Sequence, residues 1–156
     1  MLKWYSNKQV VIFFDEVPQV GIRYIVPSMS DETKKSIKKY PFINRKPLKV
    51  MLKDLKKKRI YNFEIPKGYC YDGATIPRLF WRIIGPNTDN KFLIAALIHD
   101  VLCENHQYIL HDRSFSTKVF DALLEASDVC PLKRFIMKYS VDFFQRFCNW
   151  DRRGNG

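Results

Sequence analysis

"LKVMLKDLKKKRIYNFEIP", Leu48–Pro66, is the stretch on which the fold turns. Leu48, Val50 and Leu52 alternate with Lys49, Met51 and Lys53. After a basic segment, Tyr61, Phe63 and Ile65 alternate with Asn62 and Glu64. Successive side chains of a strand point to opposite faces, so this period of two gives one apolar and one polar face. Two such runs joined by Asp54–Lys58 predict an antiparallel hairpin. The joining segment has no Asn-Gly pair, so the loop should be longer than two residues.

Outward from the hairpin toward the N-terminus, Gln9–Phe14 is β-branched and aromatic and predicts a strand. Gly21–Val26 predicts another after Pro18. Asp31–Lys39 is polar and lysine-rich, fitting a short helix or a loop, and Pro41 and Pro47 punctuate the residues between it and the hairpin. Toward the C-terminus the period changes. Phe92, Leu93, Ala96, Leu97 and Val101 lie at helical spacing and predict a helix over Asn90–Glu104. Phe115, Val119, Ala122, Leu123 and Ala126 predict a second, opening at Asp112 or Ser114. Pro131 suits the first turn of a third, Leu132–Trp150, with Phe135, Ile136, Tyr139, Phe143, Phe144 and Phe147 on its apolar positions. The tail DRRGNG should be loose or held by a partner.

Strands therefore precede helices. The fold class is α+β, with N-terminal antiparallel hairpins and a three-helix C-terminal half. The 156 residues suit a single domain over 1–156: 1–66 mainly β with a basic hairpin, 67–89 a loop, and 90–150 helical.

Hydrophobic residues make up 46% and charged residues 28%, which excludes a disordered chain. The apolar run Val10–Phe14 is too short for a signal-peptide core, and no stretch reaches the ~18 apolar residues of a spanning helix. The expected setting is the cytosol in which the chain is made, and no transmembrane segment is expected. Cys70, Cys103, Cys130 and Cys148 form no CxxC pair and read as buried thiols. Grouping Cys103 with His99, His106 or His111 matches no standard ligand spacing, so zinc is not expected.

The net charge is +11, and residues 31–60 carry twelve Lys or Arg against three Asp or Glu, which is +9 of it. Such a chain meets something acidic: a nucleic-acid backbone, an anionic membrane or an acidic protein face. Lys56, Lys57, Lys58 and Arg59 at the hairpin tip are the candidate anion-binding residues. Lysines that only block edge-to-edge strand pairing would read the same way. Few aromatics interleave the basic run, which argues against sequence-specific reading of nucleic acid.

A second candidate site lies in "AALIHDVLCENH", Ala95–His106. On a helix His99 shares a face with Ala95, Cys103 and His106, and Asp100 sits about 100° round. Before this helix, "GYCYDGATIPRLFW" offers Asp72 in a turn closed by Pro77. After it, Asp112 opens the next helix, where its ordinary role is an N-cap. Its catalytic role would be to hold one ring nitrogen of His99 so that the other acts as base. Asp72 and Asp100 would then be the metal-capable carboxylates.

The order Y-D-G-A-T-I-P-R-x-F-W, then A-A-x-I-H-D-x-L, then D-x-x-F resembles the bacteriophage and prophage family called domain of unknown function 1353. The resemblance spans roughly residues 8–148 and is strongest from Gly68 to Ala126. It implies a small protein made in the cytoplasm of a bacterial host and carried near virion or lysis genes, with no settled activity. The His-Asp helix followed by D-x-x-F is more distantly similar to secreted phospholipases of the A-two type. That likeness implies antiparallel helices, His99 as base, Asp112 as the residue orienting it, and calcium on Asp100 with Asp72 in the ion loop.

Three readings stay open. One is a calcium-assisted ester hydrolase. Another is a non-catalytic virion component of head or tail, whose basic face binds other virion proteins, DNA or membrane. In the third, a binding module, His99, Asp100 and Asp112 only lock helices together.

Overall fold

The computed structural model describes residues 1–71, 90–105, 109 and 111–144. Two antiparallel sheets come first. The larger holds β1 (Leu2–Ser6), β2 (Val10–Phe14), β5 (Leu48–Asp54) and β6 (Arg59–Ile65) in the order β1-β2-β5-β6. The smaller holds β3 (Val20–Ile22), β4 (Phe42–Asn44) and β7 (Cys70–Tyr71) in the order β3-β4-β7.

The hairpin forms as the alternation requires. Leu48 pairs with Ile65, Val50 with Phe63, Leu52 with Tyr61, and Asp54 with Arg59. Leu48, Val50, Leu52, Tyr61 and Ile65 are buried, together with Val10, Ile12 and Phe14 of β2. Lys49, Asn62 and Glu64 face out. The loop is Leu55–Lys58, four residues long, and Lys58 adopts φ 52° to turn the chain into β6. Asp54 fixes that turn, because its Oδ1 accepts the backbone N–H of Lys56 (3.0 Å) and of Lys57 (3.1 Å).

Gly21–Val26 shortens to Val20–Ile22, and the structure adds β1, β4 and β7 to the strands expected, the last falling inside the loop expected at 67–89, where Cys70 and Tyr71 pair with β4. Asn44 joins the two sheets: its buried side-chain amide donates to the carbonyls of Ile65 (3.4 Å) and Pro66 (3.1 Å). Gly68 allows the turn beyond β6 at φ 87°, a left-handed conformation that costs a residue without Cβ little. Its N–H returns to the Asn44 carbonyl.

Asp31–Lys39 is a helix, α1. Ser30 caps it by accepting the N–H of Thr33, Asp31 and Glu32 lie in its first turn, and Lys38 and Lys39 lie in its last. Each charge thus complements the helix dipole at its own end. Three helices follow: α2 (Asn90–Glu104), α3 (Arg113–Ala126) and α4 (Pro131–Phe144). The loop expected at 67–89 and the helix expected beyond 144 fall, from 72 and from 145 onward, outside the described residues.

α2 is the central helix, buried on nearly every side by β7 and α3. Tyr71 of β7 donates its hydroxyl to the Leu93 carbonyl at 3.1 Å. α3 runs back antiparallel to α2: His111, ahead of α3, meets Leu102 near the end of α2, while Phe120 further along meets His99. α3 also packs on β1 and β2, and its Phe115 meets Tyr61 of β6 at 4.8 Å between ring centres. α4 returns antiparallel along α3. Arg134 pairs with Asp121 and Glu125, and Arg113 pairs with Asp142 at the opposite end. Among the described residues no helix is long and apolar enough to cross a membrane.

Candidate functional site

His99 is 2% exposed. It projects from α2 into the α2–α3 interface and packs at 5.1 Å on the Phe120 ring. The Cys103 sulfur, one turn on, stands 3.7 Å from Nε2 and 3.9 Å from Nδ1. Asp100 Oδ1 is 3.9 Å from Nδ1, and Asp100 is equally buried. Asp100 also lies close enough to Tyr71 to disfavour its phenolate. The Tyr71 hydroxyl is held above the ordinary tyrosine range, first by burial and then by this carboxylate.

The structure does not bring Asp112 to His99. Asp112 Oδ1 accepts the N–H of Phe115 at 2.7 Å, the N-cap bond of α3, and its Oδ2 accepts from Lys57 Nζ. The carboxylate is 44% exposed at the surface while His99 is enclosed. The expected orienting pair is therefore replaced by a cap and a surface ion pair. The physical reason is local: the first free amides of a helix take the nearest acceptor, and the residue before α3 is that acceptor. Burial would raise the Asp112 pKa. The Lys57 ammonium, the Phe115 amide and the charge of Lys118 together outweigh it and hold the carboxyl below its usual range. Lys57 is raised in return, by its bond to Asp112.

The expected calcium pair lies only partly within the described residues. Asp72 lies outside the described residues, and Asp100 is enclosed beside His99 and Tyr71. Among the described residues no three His, Cys, Asp or Glu side chains converge on an ion-sized gap. Cys103 is buried as expected, but Cys70 is half-buried and Cys130 exposed, and Cys148 and His106 lie outside the described residues.

Sequence reasoning missed the role of His111. It is 7% exposed, with Nε2 2.7 Å from the Leu102 carbonyl and Nδ1 2.8 Å from the Asp112 carbonyl. The ring thus clasps the end of α2 to the start of α3. A zinc-oriented search considers only the histidine's capacity as a ligand, and its two backbone acceptors are visible only in three dimensions.

The basic tip has a clear structural setting. Leu55 through Ile60 are all exposed, so Lys56, Lys57, Lys58 and Arg59 stand in solvent. Asp54 is 3% exposed and spends its carboxylate on the turn amides. The Leu55 N–H donates to the Gln9 carbonyl, which fastens the tip to the β1–β2 turn and its exposed Lys8. Gln9 in turn lines a groove of about 270 Å³ with Arg113, Thr117, Lys118, Lys138 and Asp142. Four elements therefore put their cations at one end of the molecule: the two hairpin turns, the first turns of α3, and the middle of α4. Asp112 and Asp142 are engaged there by Lys57 and by Arg113. Lys56, Lys58, Arg59 and Lys8 make no salt bridge among the described residues.

Residues 49–141 match a family model described as "Protein of unknown function (DUF1353)". A curated relative, "Uncharacterized protein y4jT" of Sinorhizobium fredii (strain NBRC 101917 / NGR234), is 44% identical over 48 residues. That alignment covers 31% of this chain and 14% of the relative's own length. No solved structure matches the chain.

Proposed function

The chain belongs to the DUF1353 family, and from that premise we propose that it is a non-catalytic, bacteriophage-type accessory protein whose cationic end binds an anionic surface. One observation carries the reading: Lys56, Lys58 and Arg59 stand exposed on a turn that Asp54 and Gln9 hold rigid. The fixed backbone keeps these unneutralised cations side by side, and their combined field steers the encounter with an anion.

His99, Asp100 and Asp112 are structural in this proposal. A histidine base must reach a water and a substrate within about 3 Å. His99 instead meets Phe120, Cys103 and Asp100, and Asp112 is committed to Phe115 and Lys57. The hydrolase reading would need His99 and Asp112 to leave these partners.

The test is retention on heparin–agarose with a salt gradient. The full chain should be held well beyond low salt, and Lys56→Glu/Lys58→Glu/Arg59→Glu should elute much earlier with an unchanged melting temperature. Equal elution of the two proteins would refute the reading. Recovery of the chain at fixed stoichiometry in purified phage particles would assign that anionic surface to an acidic virion protein.

A further inference from the structure

α4 presents an unusual outer face. Leu132, Phe135, Tyr139 and Phe143 are 62%, 59%, 55% and 62% exposed. At about 100° per residue these positions fall within roughly 80° of one another, forming one line about 16 Å long. Met137 and Val141, which are buried, lie on the opposite side. The face of α4 that points furthest from the protein, where charged residues are ordinarily found, is thus apolar and aromatic. The line borders the cationic end: Tyr139 lines the groove shared by Arg113, Lys118 and Lys138, and the Lys138 ammonium sits 5.9 Å from the Tyr139 ring centre.

The geometry points to an anionic lipid bilayer as the surface this end engages, with Leu132, Phe135 and Tyr139 entering the headgroup boundary and the cations meeting lipid phosphates. This inference rests on the cationic-end reading above and names its partner. Aromatic and aliphatic side chains in one line, flanked by Lys and Arg, are what a helix needs to lie in a membrane interface.

Charge argues against a second copy as the occupant. Pairing the stripe with itself would bring two chains of net charge +11 together, along a border where Asp142 and Asp121 meet Arg113 and Lys138 but Lys118 has no salt bridge among the described residues. Ring geometry argues against nucleic acid. Phe135 and Tyr139 meet at 4.5 Å and 51°, so they do not form parallel platforms for successive bases, and Leu132 has no ring.

The experiment is flotation of the full chain with vesicles of phosphatidylcholine alone and of equimolar phosphatidylcholine and phosphatidylglycerol. The chain should float with the mixed vesicles and stay behind with the neutral ones. Leu132→Gln/Phe135→Gln should lower vesicle affinity about tenfold or more while leaving heparin retention intact. Tyr139→Gln is a second variant on the same line, and thermal melts followed by circular dichroism show which variants are folded. Wild-type vesicle binding in the folded double variant would overturn the inference. So would a wild-type chain that is held by heparin but ignores both vesicles, which leaves the cationic-end reading standing. A wild-type dimer that Leu132→Gln/Phe135→Gln converts to monomer would assign the stripe to self-association and overturn it as well. A wild-type chain that binds neither heparin nor vesicles would sink the two readings together.

Discussion

Lys57 at the tip of the β5–β6 hairpin donates to the Oδ2 of Asp112, the residue that caps α3. One carboxylate thus closes a helix and anchors a basic loop 55 residues away in sequence.

The two jobs of Asp112 separate by mutation. Asp112→Asn keeps an oxygen for the Phe115 amide and loses the ion pair, which at the surface should cost little. Asp112→Ala loses the cap as well and should cost about 1–2 kcal/mol. The Asp112 carboxyl is held below its usual range. A lowered folded value stabilises above the ordinary carboxylate pKa of about 3.9, and that stabilisation is lost as pH falls through the folded value. Urea midpoints of wild type and Asp112→Asn should therefore differ slightly at neutral pH and converge in acid. A gap that persists in acid would show that the ion pair is not its source. Because Asp112→Asn also frees Lys57, the variant should be held longer on heparin.

His99→Ala tests whether the buried histidine is structural. The ring fills space between α2 and α3 against Phe120 and Cys103, so truncation should cost about 2–4 kcal/mol. Heparin retention of the folded fraction should not change, since none of the exposed cations touches His99. An unchanged melting temperature with altered binding would reverse this assignment.

His111→Ala should loosen the α2–α3 corner. Two carbonyls that now face ring nitrogens, those of Leu102 and Asp112, would lose that partner, at about 1–3 kcal/mol. Hydrogen exchange should quicken at the first amides of α3 before it does in β5. Uniform exchange across the chain would show that the clasp is not local.

The hairpin was legible because Leu48 through Ile65 alternate cleanly over two long paired strands, and the helices because their apolar positions repeat at helical spacing. β1 was not legible. Leu2–Ser6 has no buried residue, and its register shifts between Lys3 and Tyr5, so its membership in the sheet comes from pairing with β2. β4 and β7 are three and two residues long, too short for a period to declare itself. In α4 the sequence shows one set of apolar residues where the structure separates two, Met137 and Val141 inward and Phe135 and Tyr139 outward. Composition alone does not tell a core face from a surface face when both are apolar. In the candidate site, the residue types of His99, Asp100 and Asp112 suggested catalysis. What each touches depends on where α3 begins and on a lysine brought from a distant hairpin.

Glu125 and Tyr5 link β1 to the far end of α3 and give the last prediction. The Tyr5 hydroxyl acts on the Glu125 carboxylate, and Arg134 stands 3.4 Å from the same group. Tyr5 first, then Arg134 and Asn7, outweigh burial and hold the Glu125 carboxyl below its ordinary range. Burial first and Glu125 second push Tyr5 up to about 12. The signs differ at the two ends of the pH scale. The Glu125 contribution is present above its ordinary value of about 4.3 and is lost as pH falls through the lower folded value. The Tyr5 contribution is present below the unfolded tyrosine value of about 10 and is lost as pH rises through the higher folded one. Glu125→Gln should therefore be less stable than wild type at neutral pH, with the difference closing in acid. In an absorbance titration of phenolate formation, Tyr5→Phe should remove a late-titrating group. If the late phase survives in Tyr5→Phe undiminished, the hydroxyl of Tyr5 is not bound to Glu125 in solution.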